Sequence, residues 1–193
     1  MRLEEIDAGD TLGHRALIGF ISLVSGMRLP DAARVAFYHQ EFLGGTLGGW
    51  TQATMRGPSD WRIGERELMA ALVAKWNSCA FCTGAHSAIA AKDIDPSLVQ
   101  AAMNDFEAAD ISPKLKAMLK FLQKMTREPV TLTAADARSV LQAGVTKQAL
   151  EDGIAVGALF NIVTRYADAL SFAMPSSEEF DKAAVMLLKR GYG

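Results

Sequence analysis

The stretch ERELMAALVAKWNSCAFCTGAH, residues 65–86, holds both of the chain's cysteines, Cys79 and Cys82, three positions apart. Two cysteines placed at random in a chain of this length would fall at that spacing on the order of once in a hundred. The pair therefore asks for a purpose. A helical pattern runs from Glu65 to Trp76-Asn77, where the chain is expected to turn. Asn77 or Ser78 then caps a second helix that carries both cysteines in its first turn and a half. On that helix His86 is four residues beyond Cys82 and seven beyond Cys79, so all three side chains share one face.

The two arms of such a hairpin decide what the cysteines can do. Glu67 lies ten residues before Asn77 and His86 nine after it, each about 14 Å from the turn at the helical rise. Packed antiparallel, the two residues face each other, and a carboxylate beside an imidazole raises its basicity and fixes its tautomer. At the start of the second helix, unpaired N–H groups and the macrodipole favour thiolate over thiol. The result is a relay from Glu67 through His86 to Cys82, able to take a proton from a thiol and return one to a leaving group. A single unbroken helix would instead hold Glu67 about 18 Å from Cys79, and no relay would form.

Outside this hairpin, apolar residues recur at spacings of three and four, and alternating β-branched runs are absent, so the chain reads as all-α. Capping residues precede helical patterns at Asp95-Pro96, Ser112-Pro113, Thr133 and Thr146, and Gly144 and Gly191 mark stops. Further helices are expected around Leu12 to Ser25 and Pro30 to Met55, the latter bent or broken by the four glycines of FLGGTLGGW. The segment MRGPSDWRIG reads as a loop. No linker divides the 193 residues, which suit one all-helical domain, 1–193.

Half of the residues are hydrophobic, the net charge is −2 and there is no long basic run, so the composition points away from nucleic acid and anionic membranes. The acidic opening MRLEEIDAGD lacks the character of a secretory signal, and the apolar run ALIGFISLVSGM is too short to span a bilayer. A soluble cytoplasmic protein is expected, and in a reducing compartment a C-x-x-C is more often redox-active or metal-binding than a permanent staple.

The pattern E-x11-C-x2-C-x3-H, filled by Glu67, Cys79, Cys82 and His86, resembles the signature of the alkyl hydroperoxidase D family within the carboxymuconolactone decarboxylase-like superfamily. Residues 55–86 and the later LTAADARSVLQAGVTKQALEDGIAVGALFNIVTRYADAL look most like its peroxidase-related branch. The resemblance implies a homo-oligomer, trimeric or hexameric, with a dithiol peroxidase activity. It also implies that Cys82 is the peroxidatic thiol and Cys79 the resolving one. The hydroperoxide would be the substrate, an external dithiol or redox protein the reductant, and no flavin, haem or metal would be needed. One position departs from the pattern: the best-studied members carry a histidine just before the second cysteine, where this chain has Phe81. An apolar ring carries no proton, but it can shield a thiolate or line an apolar pocket, expected here at the hairpin mouth with Trp76.

Other readings stand beside this one. Cys79, Cys82 and His86 are ligands of the types zinc takes, but only His14 and His39 remain as histidines and closure by Glu67 would be unusual, so no metal is expected. The cysteines could simply fill a core. They could also act as a redox-responsive regulatory switch without turnover. His39 reads as a packed structural residue, Arg165 and Asp168 as a one-turn ion pair or an oligomer contact, and Trp50, Trp61 and Trp76 as core or interface anchors.

Overall fold

The computed structural model describes residues 2–192, and those residues contain helices and no strand. In chain order the helices are α1 (Glu4–Ala8), α2 (Leu12–Ser25), α3 (Asp31–Tyr38), a π-helix (Gln40–Leu47), α4 (Gly48–Arg56), α5 (Ile63–Trp76), α6 (Ala80–Ala90), α7 (Pro96–Asp105), α8 (Pro113–Arg127), α9 (Ala134–Gln142), α10 (Lys147–Ala169) and α11 (Ser177–Arg190). A single 3-10 turn, Pro129–Thr131, joins α8 to α9.

The expected start signals act through hydrogen bonds. Asp95 accepts from the N–H groups of Ser97 and Leu98, Ser112 from Leu115, and Thr146 from Ala149, while Thr133 and Asp136 form a reciprocal capping box. Each satisfies helix-end donors that would otherwise lack partners. Gly144 and Gly191 follow α9 and α11 with positive φ. The segment expected as one bent helix from Pro30 to Met55 is three pieces, with the π-helix at the glycines. A Cβ on Gly44 would lie 2.7 Å from the Ala36 carbonyl oxygen, so the wide turn needs a residue without one.

Helix α5 is the axis of the fold. From Arg66 to Ala74 every residue is buried, as a helix with apolar residues on all sides requires. Helices α4, α6, α7, α8 and α10 pack around it. Leu68, Met69 and Leu72 meet a core that includes Met118, Leu119 and Leu122 of α8 and Leu159 and Phe160 of α10. Burying each of these large side chains stabilises the fold by about 1.5–3 kcal/mol. Trp61 pins the loop before α5 by donating its indole N–H to the Ala149 carbonyl at 2.7 Å, and Trp76 packs edge-on to Phe106. No helix among the described residues is long and apolar enough to cross a membrane.

Only Arg66 and Glu67 bring charge into the buried face of this axis. A charge without water must find partners, so these two residues direct attention to what surrounds them.

Candidate active site

The turn between α5 and α6 forms where the sequence places it, by a definite hydrogen-bond pattern. Ser78 adopts the left-handed conformation (φ 63°), its N–H bonds to the Lys75 carbonyl, and the Cys79 N–H bonds to the Ala74 carbonyl. This is a Schellman ending with serine in the place where glycine is most common. Asn77 fastens the turn to α10: its side-chain amide donates to Asn161 Oδ1 (3.0 Å) and Thr164 Oγ1 (3.2 Å), and its Oδ1 accepts from Arg165 (3.0 Å). Arg165 therefore braces the hairpin instead of forming the expected one-turn ion pair with Asp168. Cys79 is the N-cap of α6 rather than a residue of its first turn, because the Schellman ending consumes Ser78. Cys82 occupies the third helical position, where a backbone N–H has no helical partner.

Across the hairpin, His86 Nδ1 lies 2.6 Å from Glu67 Oε2, so the structure brings these two predicted residues together. Glu67 is fully buried and takes two further donors that the sequence reading did not include. Arg56, at the end of α4, donates to Oε1 at 2.7 Å, and the Tyr192 hydroxyl lies 2.9 and 3.1 Å from the two oxygens. The Arg56 guanidinium also lies over the Tyr192 ring, 4.8 Å from its centroid. Burial alone would raise the Glu67 pKa, but His86 and Arg56 overcome it and hold the carboxyl below its ordinary range. Burial and the adjacent Glu67 push the Tyr192 phenol well above its ordinary value, so it stays a hydrogen-bond donor. With Glu67 ionised, the shared proton belongs on His86 Nδ1, which leaves Nε2 as the nitrogen free to exchange one. The His86 ring rests edge-on against Phe160, with centroids 4.4 Å apart.

The thiols sit one turn nearer the N-terminus of α6, both reduced and buried, 1% exposed for Cys79 and 2% for Cys82. The Cys82 thiol, aided by the Cys82 backbone N–H, lowers the Cys79 pKa against the opposing effect of burial. Cys82 itself is pushed far up, first because its proton is engaged by Cys79 and then by burial. Asp168 of α10 raises both, so it faces the dithiol rather than Arg165. No hydrogen bond joins His86 to Cys82 among the described residues, so the structure closes the Glu67–His86 half of the expected relay and leaves the half from His86 to Cys82 open. The Cys79 pKa is thus lowered and that of Cys82 raised, opposite to the order suggested by the one-turn spacing of Cys82 and His86.

An apolar cap covers the dithiol. Phe81 packs edge-on to Phe172 at 5.2 Å and against Phe180 at 6.1 Å. Gly84 lets α11 approach, since a Cβ there would lie 2.8 Å from the Phe180 ring. Phe172 follows α10 through a second Schellman ending with Ser171 at φ 51°. The next residue, Ala173, donates its N–H to the buried Asp31 at 2.7 Å, and Arg28 holds Asp31 at 2.6 Å. The expected open pocket at the hairpin mouth is thus filled by Phe172 and Phe180, and Trp76 points into the main core. His39, expected to be packed, is exposed and edge-on to Tyr38. Among the described residues, no three His, Cys, Asp or Glu side chains gather as a set of metal ligands.

Fold comparison places this architecture among known structures. An uncharacterized peroxidase-related protein from Silicibacter sp. TM1040 superposes with a TM-score of 0.77 at 23% identity, covering 93% of each chain. A second such protein, from Ralstonia eutropha JMP134 and described by its alkylhydroperoxidase AhpD core, gives 0.72 at 24% identity over 88% of this chain and 87% of that one. The debrominase Bmp8 gives 0.70 at 16% identity over 94% and 96%. No protein-family model and no curated protein matches the sequence. The chain therefore has the all-α alkylhydroperoxidase AhpD-type fold.

Proposed function

We propose that the protein is a thiol-dependent, peroxidase-like oxidoreductase that reduces a hydroperoxide through a Cys79/Cys82 dithiol–disulfide cycle. The observation that carries this reading is a single helix, α6, that presents the C-x-x-C at its N-terminus and, one turn on, a histidine held by a buried carboxylate at 2.6 Å. The AhpD-type fold of peroxidase-related proteins supports it.

In this cycle His86 Nε2 takes the Cys82 proton as Cys82 Sγ attacks the terminal oxygen of the hydroperoxide. The O–O bond breaks, Cys82 becomes a sulfenic acid, and the departing alkoxide takes a proton from His86 Nε2. Cys79 then attacks the sulfenic sulfur, water leaves, and the disulfide forms. An external dithiol returns two electrons and two protons. Glu67 holds the imidazole and stabilises its charged form, and it does not move a proton itself.

The lowered pKa of Cys79, beside the raised one of Cys82, favours the reverse order, with Cys79 attacking first. Burial of both thiols favours a redox-responsive regulator that oxidises once. One experiment separates these readings: consumption of cumene hydroperoxide with excess dihydrolipoamide, alongside dimedone trapping of the sulfenic acid in Cys79→Ser and Cys82→Ser. Sustained turnover, with trapping in Cys79→Ser only, is the expected result. Trapping in Cys82→Ser only reverses the roles, and one stoichiometric oxidation without turnover leaves the regulator. Because Bmp8 is a debrominase and a variant of it was solved with 2,3,4-tribromopyrrole, bromide release from that compound belongs in the same assay. Two thiol electrons would suffice to replace carbon–bromine with carbon–hydrogen.

A further inference from the structure

The residue before Glu67 on α5 presents a separate problem. Arg66 is 4% exposed, and its Nη1 donates to the carbonyls of Thr54 and Gly57, each at 2.9 Å. Its Nε, also buried, has no partner, and Arg66 forms no ion pair among the described residues. Neither nearby carboxylate serves it. Glu67 is occupied by Arg56, His86 and Tyr192, and Asp152 of α10 accepts from Ser59 Oγ at 2.6 Å and Gln148 Nε2 at 2.8 Å. A buried guanidinium with no counter-ion is costly, and such a group is retained where something else pairs with it.

Arg66 lines a cavity of about 270 Å³ between α4, α5 and α10. Trp50, Ala53 and Thr54 line it from α4, Pro58 from the loop, and Asp152 and Ala155 from α10. Trp50 is 37% exposed and offers its ring to whatever occupies the space. At about 30 Å³ per water, the cavity equals roughly nine waters, the scale of one substituted aromatic ring. Its walls supply one fork-shaped cation and several apolar surfaces, which suits a carboxylate on a flat apolar body. Asp152 would repel a dianion such as phosphate, whereas the lone pairs it does not use for Ser59 and Gln148, with the Thr54 hydroxyl, suit a hydrogen-bond donor on the ligand.

We propose that this cavity is a binding site for a small hydroxylated aromatic carboxylate, with the carboxylate paired to Arg66 and the ring against Trp50 and Ala155. The site is distinct from the dithiol and does not depend on the peroxidase reading.

Calorimetric titration of the full chain with 4-hydroxybenzoate, with benzamide as a neutral control, tests it. Saturable binding of 4-hydroxybenzoate without binding of benzamide is expected, weakened about tenfold or more in Arg66→Gln because a charge-assisted hydrogen bond is lost. Since Arg66 also holds two backbone carbonyls, Ala155→Leu provides a second variant that fills the cavity and leaves Arg66 in place; it should abolish binding while circular dichroism stays native. Quenching of tryptophan fluorescence that disappears in Trp50→Phe would locate the ring. The absence of saturable heat at about 10 mM ligand, equal binding of benzamide, or undiminished binding by Ala155→Leu would each overturn the proposal.

Discussion

Replacing Glu67 by glutamine keeps the shape of the side chain and removes its charge, and the structure predicts both the size of the damage and its pH dependence. Glu67 is fully buried, and the Arg56 guanidinium it pairs with is only 8% exposed at its side chain. In Glu67→Gln that guanidinium stays buried without a counter-charge, and breaking such a pair from one side costs about 3–5 kcal/mol. For a chain of this size that is a fall in Tm of roughly 6–20 °C. The native carboxyl titrates below its ordinary value of 4.5, so its contribution is fully present above that value and is lost as pH falls through the lower folded-state value. Urea unfolding of native protein and variant at pH 7 should therefore show the full gap, and the gap should narrow below about pH 4. A gap under about 1 kcal/mol at pH 7, the scale of an exposed ion pair, would refute the reasoning, as would a gap unchanged at low pH.

The same geometry makes three other outcomes measurable. Phe172→Ala opens the cap over the dithiol, so the reaction of the thiols with Ellman's reagent should accelerate at least about tenfold, with a stability loss of about 1–3 kcal/mol for the partly buried ring; an unchanged rate would show that reagents enter elsewhere. Asp168→Asn removes a charge that raises both thiol pKa values, so the pH profile of iodoacetamide reaction should move to lower pH. Ser78→Gly relieves a left-handed serine at φ 63° and should stabilise the fold by about 0.5–1 kcal/mol in urea unfolding, with the thiol reactivity unaltered.

How far the site could be read in advance follows from how each part is positioned. Glu67 and His86 are counted from one turn on contiguous helices, so their meeting was legible once Asn77-Ser78 was read as the break. Arg56 and Tyr192 reach Glu67 from α4 and from beyond α11, and helical periodicity does not determine how those segments dock. A signal was nevertheless present: Arg66 and Glu67 interrupt a helix with no other polar residue from Leu68 to Ala74, so both had to be buried and partnered. The helix starts were legible because Asp95, Ser112, Thr133 and Thr146 act locally. The cover over the thiols was not, since Phe172 and Phe180 lie 91 and 99 residues further along the sequence than Phe81. The position of Cys79 outside α6 was missed because a serine took the left-handed place where glycine usually stands.

The carboxylate at the centre of the hairpin also bears on how such a protein can diverge. Glu67 is at once a core residue and the group that orients His86, so a substitution there that alters the chemistry also removes a large part of the margin that keeps the chain folded. The phenylalanines above the dithiol are under no such double constraint. Phe172 and Phe180 cover the thiols without taking part in the Glu67 network, and a lineage can exchange them for smaller or polar side chains at modest cost. If the proposed dithiol chemistry holds, new substrates would be acquired by changing the cover while the hairpin beneath it stays fixed.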